Sequence, residues 1–274
     1  MAKILLKLFG VLLLLMGTGI LLYPTISNWL ARQNQSTAIQ EYTRNVEKMD
    51  ARIIEEEMKN AQAYNDSLIQ ITTSDPFALS NTTSPSETYN STLNINGIIG
   101  YIDIPQINVY LPIYHGTSEE VLQKGIGHLE NTALPIGENG THTVLTGHSG
   151  LPETKFFDNL EQMAEKDVFY LHVLDKTFAY EVNQILVVDP DDTEALQPAA
   201  GKNYTTLVTC TPYAVNSHRL LVRGVRIPYE QDGIKTTGSM TADTVNWYYV
   251  VGIIGFAAIC VIFFFIYRRL RRQN

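Results

Sequence analysis

Cys210 closes the run Thr206-Leu207-Val208-Thr209-Cys210 and is followed by Thr211-Pro212-Tyr213. The β-branched run reads as a strand, and Pro212 stops the pattern just beyond it. A thiol at a strand end is rigidly held yet can face a groove. At an unperturbed pKa of about 8.5, only a few per cent of a cysteine is thiolate at pH 7, so a catalytic thiol needs a base or a cation beside it. Six histidines are available: His115, His128, His142, His148, His172 and His218. His148 is the best placed, in the open turn Gly147-His148-Ser149-Gly150 after a strand-like stretch at 141–146. His142 lies within that strand, where a packed or solvent-facing imidazole is the default. Arg219 follows Cys210 by nine residues, across a turn. A hairpin there returns Arg219 beside the end of the Cys210 strand, where its guanidinium can bind a substrate backbone or a developing oxyanion. Arg223 shares that strand face but lies ~13 Å further along, at ~3.3 Å per residue. His218 is a rival base, expected on the opposite face from Arg219. The competing reading makes Cys210 a buried core thiol, His148 a loop residue and the arginines surface ion-pair partners.

The elements that must position these groups are mostly strands. β-branched and aromatic runs at 98–104, 109–114, 141–146, 168–173, 178–188, 205–210 and 219–227 are separated by Pro, Gly, Asn and Asp. Seven or eight short strands in such a length favour a closed barrel or a sandwich over an α/β fold. Short helices are expected at 119–124 and 154–163. There is no internal repeat, heptad seam or metal-spaced Cys/His cluster. Before the strands, residues 37–70 carry Ile39, Tyr42, Val46, Met49, Ile53, Met58, Ala61, Tyr64 and Leu68 at mostly three- and four-residue steps, which predicts a helical arm that packs or acts as a stalk. Residues 72–92 are rich in Ser, Thr and Asn and form a long loop, of the kind that serves as a functional lid or a linker. Near its start stands Asp75-Pro76-Phe77, an acid and an aromatic around a rigid proline.

Charge and hydropathy set the location. All 28 acidic residues lie between Tyr23 and Trp247, while six of the 20 Lys/Arg lie outside that span, so the middle is strongly acidic within a net charge of −8. That balance excludes a basic nucleic-acid-binding middle. Residues 4–23 and 247–267 are apolar, with Lys7 the only charge in either. About 20 helical residues span ~30 Å, the thickness of a bilayer core. The basic residues flank the outer ends of both segments, which puts both termini in the cytosol and residues 24–246 outside. A cleaved signal peptide is the alternative for the first segment, but no small-x-small site follows it. A cell-wall sorting signal is the alternative for the second, but residues 235–245 contain no LPxTG. Cys260 falls in the second apolar segment, so Cys210 is the sole cysteine of the exposed region. Exposed proteins usually pair their cysteines, and an unpaired one needs a reason.

Together, Thr-Leu-Val-Thr-Cys at 206–210, Thr-Gly-His at 146–148 and Arg219 resemble the sortase family over roughly 97–227. The second apolar segment and Asp75-Pro76-Phe77 resemble its class C, pilin-assembling branch, in which the third lid position is often Trp rather than Phe77. The resemblance implies a closed β-barrel of about eight strands and a cysteine transpeptidase. Cys210 would attack the Thr–Gly carbonyl of an LPxTG-type signal, His148 would serve as acid and base, and Arg219 would stabilise the tetrahedral intermediate. A pilin lysine would resolve the thioacyl-enzyme, joining pilin subunits into a pilus. Asp75 and Phe77 would form a lid over the site, with Asp75 pairing with Arg219 and Phe77 covering Cys210 in the resting state. No metal or organic cofactor is implied. The partners are LPxTG-bearing pilin or surface proteins and the lipid membrane of a Gram-positive-type bacterium. The expected layout is a membrane anchor at 1–23, a helical arm at 24–71, a lid loop at 72–96, the catalytic barrel at 97–230, a linker at 231–246, a transmembrane helix at 247–267 and a basic tail at 268–274. Two other readings stand beside it: a sortase that attaches proteins to peptidoglycan, and a non-catalytic membrane-anchored adhesion or sensor module. A papain-like peptidase fits poorly, because there the cysteine precedes the histidine and no cysteine occurs early in this chain. Leu151-Pro152-Glu153-Thr154-Lys155 resembles a sorting signal but has Lys where Gly belongs, and reads as the loop after His148.

Overall fold

The computed structural model describes residues 2–68, 75–77, 86–151, 154–229 and 255. Eight strands close into a barrel: β1 (Ile98–Ile104), β2 (Val109–His115), β3 (Ile126–His128), β4 (Thr141–Thr146), β5 (Val168–Val173), β6 (Lys176–Val188), β7 (Asn203–Thr211) and β8 (His218–Ile227), in the order β1-β2-β3-β4-β7-β8-β6-β5. The β2–β3 and β4–β7 pairs are parallel and the rest antiparallel. This is the expected closed barrel. The strand that the sequence pattern does not reveal is β3, a three-residue element with Gly127 at its centre. A Cβ on Gly127 would stand 2.4 Å from the Gly116 carbonyl oxygen, so the close approach of two backbones selects glycine over a patterned strand residue.

Period-two alternation sorts the barrel's side chains. Leu145, Leu207, Leu220 and Val222 point into the main core with Phe157, Phe169 and Ile113. Their neighbours Val144, Val208 and Leu221 point the other way, into a second cluster with Leu129 and Leu196. Each fully buried Phe or Leu contributes roughly 1.5–3 kcal/mol.

The helices depart from expectation in three places. Helix α1 (Ala2–Glu47) is continuous through Pro24, and α2 (Ala51–Ser67) follows after a break, so the arm is two helices rather than one stretch at 37–70. The break is built by Asp50, whose carboxylate accepts from the Arg52 backbone N–H at 2.9 Å and caps α2. Within the loop expected at 72–96 stands a short helix, α3 (Glu87–Ser91), capped by Ser86 and anchored by the fully buried Tyr89. The helix expected at 154–163 is only a 3₁₀ turn at Leu160–Gln162. The Asp158 carboxylate accepts from the Gly150 and Phe156 N–H groups, holding this segment as a loop while adjacent Phe156 and Phe157 are both buried. Helix α4 (Glu119–Leu122) falls where expected.

The N-terminal stretch to Ala31 forms one compact unit, and the barrel with the arm from Arg32 onward forms another. Within the second, Ile39, Tyr42 and Val46 of α1 are buried, and the Tyr42 hydroxyl donates to the Ile99 carbonyl while accepting from the Leu174 N–H at 2.7 Å. Asn65 of α2 accepts from the Leu134 N–H and donates to its carbonyl. In the first unit, Leu12, Leu13, Leu15, Met16, Ile20 and Leu21 are all more than half exposed. Among the described residues one helical stretch, Leu12–Glu47, is long and apolar enough to cross a membrane. The apolar segment at 247–267, including Cys260, lies outside the described residues apart from Gly255, as does the linker at 231–246.

Candidate active site

Strand register brings the three sequence-predicted groups to one end of the β4–β7–β8 wall. In the antiparallel β7–β8 pair, Cys210 stands directly opposite Arg219. Side chains of directly paired residues share a face, and this one also carries Val208 and Leu221 of the second cluster. The intervening turn is clamped by bonds from the Val215 and Asn216 N–H groups to the Pro212 carbonyl. The Arg219 guanidinium donates back to the carbonyls of Asn216 and His218, which fixes its direction.

His148 arrives from the parallel β4–β7 pair. Thr146 is opposite Val208, and the pairing continues past the end of β4. The Gly147 N–H donates to the Val208 carbonyl at 3.1 Å, the Thr209 hydroxyl donates to the Gly147 carbonyl at 2.7 Å, and the Ser149 hydroxyl donates to the Cys210 carbonyl at 2.7 Å. The backbone on both sides of His148 is therefore tied to the end of β7 that carries Cys210. Gly147 is required by packing, since a Cβ there would lie 2.7 Å from Ile126 Cδ1 and 2.8 Å from Phe157 Cδ2.

The Asp75–Phe77 segment lies on this face. The Asp75 carboxylate takes both arms of the Arg219 guanidinium, from Nε at 2.8 Å and from Nη2 at 2.6 Å, in a pair whose side chains are about 10% exposed. The Phe77 N–H donates to the Asp75 carboxylate, so the acid also shapes its own turn. The Phe77 ring centroid is 5.0 Å from Arg219 Cζ and 5.5 Å from the His148 ring, and Phe77 packs on the second cluster.

Electrostatics follow from these contacts. Burial pushes the Cys210 thiol above its usual range; Arg219 pulls it down and Asp75 adds to the upward push. The carboxylate of Asp75 holds the Arg219 guanidinium above its usual value, against the opposing effect of burial. Three other histidines are buried away from this constellation: burial drives His128 down to about 3 and His142 and His172 to about 4. His142 bonds the Gln197 carbonyl and the Thr206 hydroxyl, and His128 bonds Tyr89 and Ala133. His218 is half-exposed and 3.5 Å from Asp189. Arg223 lies over the Tyr204 ring.

One neighbour was invisible to sequence reasoning. Glu119, at the start of α4, has a carboxylate oxygen 3.5 Å from His148 Nε2. Its only sequence signal is its place in a short expected helix. The 29 positions separating it from His148 carry no pattern that joins them.

Residues 102–227 match the Sortase domain family. The chain is similar to the solved structure of sortase C of Streptococcus pneumoniae, at 48% identity over 70% of this chain and 97% of that one, with a TM-score of 0.66. A structure described as the pilus-related sortase C of Group B Streptococcus is 47% identical over 69% of this chain and 97% of that one, with a TM-score of 0.66. Sortase D of Bacillus subtilis is 32% identical over 131 residues, and the match spans 47% of this chain and 63% of that relative, a little under two thirds of its length.

Proposed function

The chain belongs to the sortase family, and on that premise we propose that it is a membrane-anchored cysteine transpeptidase that cleaves LPxTG-type sorting signals between Thr and Gly and joins the acyl group to a lysine amine of a pilin subunit. The observation that carries the reading is the double register: Cys210 opposite Arg219 across β7–β8, and His148 beside Cys210 across β4–β7.

The Cys210 thiolate adds to the Thr carbonyl carbon, and the carbonyl π pair moves onto oxygen. The Arg219 guanidinium stabilises that oxyanion. Collapse breaks the C–N bond, and protonated His148 donates its proton to the departing glycine amine. The product is a thioacyl-enzyme on Cys210. The incoming lysine amine gives a proton to His148 as it attacks, and expulsion of the thiolate leaves an isopeptide bond. No redox partner enters.

Asp75 and Phe77 act as a lid in this scheme. The support is geometric: Asp75 occupies the guanidinium that the oxyanion requires, and the Phe77 ring packs against both Arg219 and His148. Pilin as substrate is supported by the relatives, among them the pilus-related sortase C of Group B Streptococcus. The N-terminal apolar helix is a candidate membrane anchor, and the basic flanks of both apolar segments support an extracellular barrel with both termini in the cytosol.

The test is incubation of the detergent-solubilised chain with an LPxTG peptide and a pilin subunit, followed by mass spectrometry. A Cys210 thioacyl adduct and an amide-linked product are expected. The absence of both, even after Asp75→Ala/Phe77→Ala substitution, overturns the reading. A product linked only to peptidoglycan fragments selects the cell-wall-anchoring alternative.

A further inference from the structure

Glu119 lies in the first turn of α4. The Ser118 hydroxyl accepts from the Val121 N–H at 3.4 Å and caps that turn, so Glu119 is not needed as its cap. Its carboxylate is instead held in place: one oxygen accepts from Gln123 Nε2 at 2.9 Å and the other faces His148 Nε2 at 3.5 Å. The helix itself is anchored by Leu122, which is 2% exposed. On the other side, His148 Nε2 is buried, and among the described residues it has no hydrogen-bond partner. At 3.5 Å the contact with Glu119 is a charge contact rather than a hydrogen bond, so it acts chiefly when the imidazole is protonated.

We propose that Glu119 is a positioning residue for His148, the third member of a Cys–His–carboxylate arrangement in which Gln123 orients the carboxylate. The inference deepens the transpeptidase reading and rests on it. A nucleophile needs a base, and that base works best when a third group orients it. Glu119 takes no part in the proton transfer: the proton that leaves for the glycine amine comes from His148 and returns to His148 from the lysine amine. The carboxylate stabilises the imidazolium between those events. The other groups facing this pair are Cys210 from β7, Arg219 from β8 and Asp75 with Phe77 from the loop, while Asp158 is engaged by backbone N–H groups. None of these supplies a second carboxylate to His148 Nε2.

The test is a titration of His148 in the full detergent-solubilised chain by NMR with histidine-selective ¹³C labelling at low ionic strength, the resonance assigned from a His148→Gln sample. Glu119→Gln keeps the size of the side chain and an acceptor for Gln123. It is expected to lower the His148 titration midpoint by about half a pH unit, the scale of an ion pair with one largely exposed partner. Glu120→Gln removes the same charge from the same turn, but Glu120 pairs with Lys124 at 2.6 Å, so the midpoint is expected to stay in place. Gln123→Leu, which frees the carboxylate, is expected to shift it in the same direction by less. With a fluorescent LPETG peptide and hydroxylamine as the amine, the alkaline limb of kcat/KM should move by the same amount in Glu119→Gln, with a two- to five-fold loss above it. A His148 midpoint in Glu119→Gln within 0.1 unit of wild type overturns the inference, as does an equal shift in Glu120→Gln. Because the titration needs no turnover, it is decided separately from the transpeptidase reading, which wild-type turnover tests.

Discussion

Opening the proposed lid of Asp75 and Phe77 should expose Cys210 to a small alkylating reagent by an amount that the contacts allow to be worked out. Asp75 takes a bidentate, charge-assisted pair from Arg219 with both side chains about 10% exposed. Such bonds contribute about 1.5–3 kcal/mol. Removing Asp75 by about 2 kcal/mol of lost closure raises the open fraction ~30-fold, at 1.4 kcal/mol per factor of ten. Phe77 is partly buried against the second apolar cluster and lies under the Arg219 guanidinium. Its apolar area and cation–π contact together contribute about 1.5 kcal/mol, so Phe77→Ala should raise the open fraction ~10-fold. The two residues share Arg219, and their effects should fall short of multiplying. Asp75→Ala has a second signature. Asp75 helps to push the Cys210 thiol upward, so its loss should also move the pH profile of alkylation to lower pH. Measuring iodoacetamide rates from pH 6 to 10 separates the two: access scales the plateau, and thiolate formation shifts the midpoint. A plateau for Asp75→Ala within twofold of wild type would refute the closed-lid argument.

Arg219→Ala should split the two readouts, raising the alkaline plateau of Cys210 alkylation by releasing Asp75, although its loss also moves the thiol midpoint upward, while lowering transpeptidation by 10²–10³, the scale of a lost oxyanion donor; a lowered plateau together with lowered transpeptidation in a protein that remains folded contradicts it. Gly147→Ala should destabilise the barrel by about 1–3 kcal/mol, read as a lowered urea midpoint, because its Cβ would meet Ile126 and Phe157 below 3 Å. Asn65→Ala strips both partners from the Leu134 backbone and should cost about 1–3 kcal/mol on the same measurement. His142 is held neutral by burial, with its pKa lowered to about 4 against an unfolded value near 6.5. The unfolded chain therefore binds the extra proton first, and stability should fall as pH drops from ~6.5 toward 4, by on the order of 2–3 kcal/mol for this residue. His142→Gln should flatten that slope, and an unchanged pH dependence counts against it.

Much of the site was legible because its spacing is local. Cys210 and Arg219 are joined by one hairpin, and a hairpin with a short turn leaves few registers open, so their pairing could be reasoned from the nine-residue interval. His148 was legible by its glycine neighbours, though not by its partner: nothing in the chain says that β4 lies parallel to β7. The lid residues were legible as unusual loop cargo. Glu119 was not, since its relation to His148 exists only where α4, packed on β3, meets the turn after β4. The short strand β3 and helix α3 escaped for a different reason. Three to five residues hold too few periods for a pattern, and long-range contacts such as Tyr89 with His128 stabilise them.

By itself the sequence determined the strand-rich composition, the face that each side chain takes within its strand, the apolar ends and the identity of the one thiol outside those ends. These depend on residue type and on a period of two, which the chain carries everywhere. The tertiary structure alone decided which strands became neighbours, and with that the placing of His148 beside Cys210, of Asp75 on Arg219 and of Glu119 on His148. Strand order in a closed barrel is set by how the whole core fills and by which backbones can approach at glycines such as Gly127 and Gly147. That packing is a property of residues distant in the chain, and no local pattern encodes it.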